Sequence, residues 1–149
     1  MIELEVFKEN NLPDLLLWFS NKNNRRFQIT KKINLNNAKK LIKTDDRKIV
    51  YCIKLNNKAI GYCMLKNLQN QPEIGINIDE NYWGKGYGKQ VLIILENKAR
   101  KLNYQKLSLW VFKDNLRAVN LYWNAGYTVT KQKIFKKENT LLYLEKQLR

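Results

Sequence analysis

Three of the six glycines fall within five residues, at Gly84, Gly86 and Gly88. They lie between an alternating, strand-like stretch and an amphipathic, helix-like one. Glycine loses more conformational entropy on folding than any other residue, so such a cluster marks backbone that must turn tightly and be approached closely. At the head of a helix, unpaired amides and the helix dipole favour an anion, most obviously a phosphate. Lys85 and Lys89 add positive charge beside it. The spacing Gly-x-Gly-x-Gly does not fit the dinucleotide fingerprint, and Gly88-Lys89-Gln90 lacks the Ser or Thr of the triphosphate loop. Hydride and phosphoryl transfer both lose ground.

The pattern around the cluster describes a mixed α/β chain. Ile2–Phe7 alternates like a strand; Asn11-Leu12-Pro13 opens a helix, and a second short helix lies near Asn37–Lys43. Residues 21–34 are polar and basic and read as a loop. Arg47–Leu55 and Lys58–Leu65 flank Asn56-Asn57, a two-residue hairpin turn in which Asn tolerates positive φ. A regular register places Leu55 opposite Lys58 and Cys52 opposite Gly61. One face is then Ile49, Tyr51, Ile53, Ile60, Tyr62 and Met64; the other holds Val50, Cys52, Ala59, Gly61, Cys63 and Leu65. Both faces are apolar, which requires cover on both sides of the sheet. Glu73–Asp79 is the next strand, and Leu92, Leu95, Ala99 and Leu102 repeat at helical spacing from Gly88 to about Leu102. Lys106–Phe112 is a strand. Asp114 or Asn115 caps a helix that Gly126 closes, and Tyr127–Phe135 and Thr140–Lys146 finish as strands.

Composition narrows the chemistry. The 149 residues are about one domain's worth, read as a single domain over 1–149. There is no histidine and there are two cysteines, Cys52 and Cys63, which removes imidazole triads, most zinc sites and a disulfide framework. Both cysteines read as core thiols. No apolar run is long enough to span a bilayer, and acids stand where a secretory leader needs Lys or Arg, so the expectation is a soluble cytoplasmic chain, monomer or homodimer, with no membrane partner. The net charge of +15 is spread along the chain. It suits either an anionic partner, nucleic acid or phosphate-rich cofactor, or a generally basic proteome.

Two blocks carry a family resemblance. Trp83-x-x-Gly86-x-Gly88 resembles the acyl-coenzyme-A loop of the GNAT superfamily of N-acyltransferases, normally Gln/Arg-x-x-Gly-x-Gly/Ala. Asn115-Leu-Arg-Ala118-Val-Asn-Leu-Tyr122-Trp-Asn-Ala-Gly126-Tyr127 resembles the family's second block, Asn-x-x-Ala-x-x-x-Tyr-x-x-x-Gly-Phe/Tyr. With the Glu73-Ile-Gly-Ile-Asn-Ile-Asp79 strand, the specific match covers residues 73–127. Trp83 departs from the pattern, although the loop amides do not depend on that side chain.

The resemblance implies a mostly antiparallel central sheet of six to seven strands with helices on both faces. It also implies an acetyl-CoA-dependent N-acetyltransferase acting on a primary amine without a metal. Ile76, Asn77 and Ile78 would pair with the pantetheine arm and supply the oxyanion donor. Amides of Gly84, Lys85, Gly86, Tyr87, Gly88 and Lys89 would hold the pyrophosphate. Asn115 would meet the cofactor and Tyr122, ~10 Å further along the same helix face, would be the general acid. Glu73 is the candidate base, with Asp79 and Glu80 as runners-up, and Trp18, Arg25, Arg26 and Phe27 could line the acceptor site. The second reading is a basic nucleic-acid-binding module, or an acetyltransferase whose acceptor is attached to RNA.

Overall fold

The computed structural model describes residues 1–20, 34–136 and 139–148. Among them, seven strands form one sheet: β1 (Ile2–Val6), β2 (Ile49–Leu55), β3 (Lys58–Lys66), β4 (Glu73–Ile78), β5 (Lys106–Phe112), β6 (Thr128–Phe135) and β7 (Asn139–Gln147). Their spatial order is β1-β2-β3-β4-β5-β7-β6. Every neighbouring pair is antiparallel except β4 and β5, which are parallel. Four α-helices join them among the described residues: α1 (Leu12–Ser20), α2 (Leu35–Ile42), α3 (Tyr87–Lys101) and α4 (Leu116–Asn124).

The helices divide between the two faces, as a hairpin apolar on both sides demands. Val91, Leu92, Leu95 and Ala99 of α3 and Tyr122 of α4 pack with Ile53, Cys63, Leu65, Leu107 and Leu109. On the opposite face, Leu12, Leu15 and Phe19 of α1 and Ala38 and Ile42 of α2 pack with Val50, Cys52, Tyr62 and Met64. Each such fully buried aliphatic side chain contributes roughly 1.5–3 kcal/mol of transfer free energy. No helix among the described residues is long and apolar enough to cross a membrane.

Local chemistry explains the boundaries. Asn56 and Asn57 both take positive φ (48° and 70°), the conformation a tight two-residue hairpin needs. Asn34 Oδ1 accepts from the Asn37 amide and so caps α2 three residues before the expected start. Asn115 caps α4, its side chain accepting from the Ala118 amide at 3.3 Å. Gly126, at φ 97°, ends that helix.

The hairpin register differs from the regular one. Leu55 does face Lys58, but the pairing shifts between Ile53 and Lys54, so that Cys52 faces Tyr62 and Ile53 faces Gly61. Ile60 is the extra residue of a β-bulge. Because side chains alternate with period two, one inserted residue exchanges the faces beyond it. Tyr62 and Met64 therefore join Val50 and Cys52, whereas Cys63 and Leu65 join Tyr51 and Ile53. The two cysteines lie on opposite faces of the sheet. Both are fully buried, and burial pushes the Cys52 thiol up to about 11 and the Cys63 thiol well above its ordinary value, as befits inert core thiols.

Candidate functional site

β4 and β5 pair at a single position, Glu73 opposite Ser108. The Pro72 carbonyl takes both the Ser108 amide at 3.1 Å and the Ser108 hydroxyl at 3.2 Å, and Tyr143 donates to that hydroxyl oxygen at 2.6 Å. Above this pin the two strands form no further ladder, which leaves one edge of β4 facing a cleft. A cavity of about 260 Å³ occupies the gap. Ile74, Gly75, Ile76, Asn77 and Ile78 line one wall, and Trp110, Val111 and Phe112 the other. α4 contributes Asn115, Arg117, Ala118, Leu121 and Tyr122, and the glycine loop contributes Trp83 and Gly88.

The glycine loop meets the end of β4. Gly84 and Gly86 have φ of 74° and 83°, and a Cβ on either would meet nothing within 4 Å. Glycine is required there by backbone conformation rather than by crowding. Gly86 heads α3 with no side-chain cap, so the first-turn amides of Tyr87, Gly88 and Lys89 have no capping side chain. At Gly88 the reason is contact: a Cβ would lie 3.3 Å from Leu121 Cδ2, where α3 presses against α4. Lys85 rests over the Tyr82 ring, its Nζ 5.8 Å from the centroid. Lys89 is exposed on the first turn of α3. Phosphate needs such exposed amides in a concave turn flanked by cations, so the residues present suit a phosphate-bearing carrier.

Trp83 turns out to be firmly placed. Its indole Nε1 donates to the Ile78 carbonyl at 2.7 Å, tying the loop to the last residue of β4. The Arg117 guanidinium stacks on its ring, with Cζ 3.8 Å from the centroid. Of the expected pantetheine contacts, Ile76 and Asn77 keep their place on the cleft wall, and the Ile78 carbonyl already accepts from Trp83. Asn115 also lines the cavity while its oxygen serves as the helix cap.

Tyr122 lines the cavity and is 5% exposed. Its ring meets Tyr127 edge-on at 5.7 Å, and its hydroxyl makes no hydrogen bond to a described residue. Burial raises its pKa and the nearby Arg117 charge pulls the other way, leaving it well above the ordinary tyrosine value. The phenol therefore stays protonated throughout the neutral range.

Glu73 is not among the cavity-lining residues. It sits at the base of the cleft, opposite Lys66 on β3 and Ser108 on β5. Asp79 and Glu80 lie in the short turn after β4, where Asp79 accepts from Asn81 Nδ2 at 3.3 Å. Trp18 is buried in the α1–α2 core away from the cavity; its neighbour Phe19 lines the cavity instead. Arg25, Arg26 and Phe27, and with them nearly all of the expected 21–34 loop, lie outside the described residues. Among the described residues, Lys66 and Arg117 are the charged side chains on the lining, and no carboxylate joins them. Lys131 and Lys133, on β6, stand over Trp110 at 5.7 and 4.3 Å from its centroid. No group of three or more Cys, Asp or Glu among the described residues is placed to hold a metal.

Sequence reasoning missed Arg117. The second block is defined by the spacing of Asn115, Ala118, Tyr122 and Gly126, and nothing in the sequence links Arg117 to Trp83, thirty-four positions earlier.

A sheet splayed between two parallel strands, with a glycine loop at one end and a buried tyrosine on the wall, defines an open cleft suited to an extended, anion-bearing ligand. Family comparison agrees: the acetyltransferase (GNAT) family profile matches residues 12–127, and the chain belongs to that family. It is similar to the uncharacterized N-acetyltransferase YycN of Bacillus subtilis, 35% identical over 94 residues that cover 59% of this chain and 60% of that protein. Less than two thirds of that relative's length is thus matched. Among solved structures, a domain from Methanocaldococcus jannaschii superposes with a TM-score of 0.86 at 22% identity, covering 99% of each chain. Spermidine N-acetyltransferase from Vibrio cholerae, in complex with CoA and spermine, also gives 0.86, at 17% identity, covering 99% of this chain and 95% of that one. At these identities the structures establish a shared fold.

Proposed function

We propose that the chain is an acetyl-CoA-dependent N-acetyltransferase that moves an acetyl group to a primary amine of a small molecule, protein or peptide by direct attack on the thioester. The observation that carries this reading is the single-position pairing of β4 with β5. It leaves the Ile76–Ile78 edge open and running into the Gly84–Gly88 loop. Acetyl-CoA, when bound, supplies the activated thioester.

The chain's own groups then have separable tasks. Amides of residues 84–89 hold the pyrophosphate, with Lys85 and Lys89 beside them. The β4 edge orients the pantetheine arm, and an amide from Ile76, Asn77 or Ile78 steadies the developing oxyanion. Tyr122, kept neutral by its surroundings, delivers a proton to the departing sulfur. Removal of the amine proton falls to water and Glu73, the carboxylate at the foot of the cleft. An α-amine costs only about 1 kcal/mol to deprotonate near neutral pH, against roughly 4–5 kcal/mol for a lysine ε-amine, so an α-amine needs little help from a base.

Titration calorimetry with acetyl-CoA tests this reading. Binding in the micromolar range is expected, lost when Gly86 is replaced by Val, whose β-branched side chain cannot adopt φ near 83° without strain. Absence of heat at millimolar acetyl-CoA would remove it.

A further inference from the structure

We propose that Arg117 is the cofactor-binding cation of this cleft, held by the face of Trp83 so that its guanidinium edge meets the diphosphate of CoA. This rests on the acetyl-CoA reading above.

Four observations converge on it. Arg117 stacks at 3.8 Å on a ring that is itself fixed by the 2.7 Å bond from Trp83 Nε1 to Ile78, so the guanidinium is positioned rather than loose. Stacking uses the face of the guanidinium and leaves its N–H edge available, and Arg117 forms no hydrogen bond or ion pair with any described residue. Both partners lie on the cavity lining with Gly88, which belongs to the loop whose amides are open to an anion. Finally, Arg117 sits on the second residue of α4, where the helix dipole disfavours a cation unless an anion is close by. Trp83 offers a phosphate no charge of its own; it acts as a platform that brings charge from a different element. A guanidinium presents paired N–H donors in a planar fork that matches two phosphate oxygens, whereas the ammonium groups of Lys85 and Lys89 act as point charges.

The stack also bridges the two walls of the cleft, from the loop after β4 to α4, so a latch that must open for binding makes the opposite prediction. Calorimetry on the full chain separates the cases, with CoA and dephospho-CoA titrated into wild type, Arg117→Met and Arg117→Lys. Met keeps contact with the indole while removing the charge. The expected result is a 10- to 30-fold weaker Kd for Arg117→Met with both ligands, a shallower dependence of binding on salt, and only partial recovery in Arg117→Lys. Thermal unfolding of each variant confirms that it is folded, and the Lys variant stands in if the Met variant is not. Unchanged affinity overturns the proposal, and tighter binding by Arg117→Met replaces it with the latch. A loss confined to CoA moves the contact to the 3′-phosphate and overturns the diphosphate assignment. Failure of wild type to bind either ligand sinks the acetyl-CoA reading itself.

Discussion

The Tyr127 hydroxyl donates to Glu96 Oε2 at 2.9 Å, joining the turn between α4 and β6 to the buried middle of α3. Lys146 of β7 reaches the same oxygen at 3.0 Å, so one carboxylate ties a helix, the turn before β6 and a strand together. Glu96 is 5% exposed, and this pairing makes its burial tolerable. Tyr127 in turn supports the edge of the Tyr122 ring.

Glu96→Ala should therefore destabilise the fold by about 3 kcal/mol, since removing one partner strands a buried polar group and a partly buried ammonium. Urea unfolding measures the loss. A cycle with Lys146→Met should show that the two changes are not additive; additive effects would mean that the pair carries no coupling.

For Tyr122→Phe, turnover in a thiol-release assay should fall on the order of 100-fold while the calorimetric Kd for acetyl-CoA stays within about twofold. Unchanged turnover would refute the acid role. In wild type, the raised pKa of Tyr122 means that no falling limb should appear near pH ~10, where an ordinary tyrosine ionises.

Glu73→Gln separates a base from a structural acid. If Glu73 accepts the amine's proton, kcat should fall most at low pH, where the amine is protonated, with the acetyl-CoA Kd untouched. A uniform change across the pH profile would count against it.

Stability should decline at high pH. Burial raises the pKa of Cys63, Tyr62, Tyr122 and Tyr127 above their unfolded values. A group whose folded pKa is raised holds its proton more tightly in the native state, so its contribution is complete below the unfolded pKa and is lost as pH climbs above it. The decline should begin near pH ~8.5, where an unfolded cysteine ionises, and steepen above ~10 as the tyrosines join it. Each group costs about a factor of ten in the folding constant per pH unit while only the unfolded chain is ionised. Denaturant titrations from pH 7 to 11 would show it; a flat profile would contradict the burial of these groups.

Polyamines should be poor acceptors. The cavity lining carries no carboxylate among the described residues, and Lys66 remains a cation on it once Arg117 is engaged by the diphosphate, with Lys131 and Lys133 over Trp110 nearby. Like charges about 5 Å apart repel by roughly 3 kcal/mol at an effective dielectric near 20. In the thiol-release assay, kcat/KM for spermidine should lie below that for an α-amine bearing a carboxylate. The reverse order would show that the acceptor site is not cationic.

Legibility followed the range of the forces involved. Turns and caps were readable because they are local: Asn56-Asn57 must form a tight hairpin, Gly126 must end its helix, and Asn115 caps α4 through its own third neighbour. Strand Lys106–Phe112 was expected over the same residues at which it forms. The bulge at Ile60 was not readable, because both faces of the hairpin are apolar and hydrophobic pattern alone cannot choose a register there. Next to the bulge the packing is tertiary: Gly61 lies so close to β4 that a Cβ would strike the Asn77 carbonyl oxygen, an approach open to glycine alone.

By itself, then, the sequence determined the order of the elements, the conformation of the glycine loop and the absence of imidazole chemistry, all matters of local backbone preference and residue type. The tertiary structure alone decided that β4 and β5 part above Ser108, that Glu73 stays at the foot of the cleft, and that Arg117 comes to rest on Trp83. These depend on how distant segments pack, and packing is set by the shapes of surfaces that do not exist until the chain has folded.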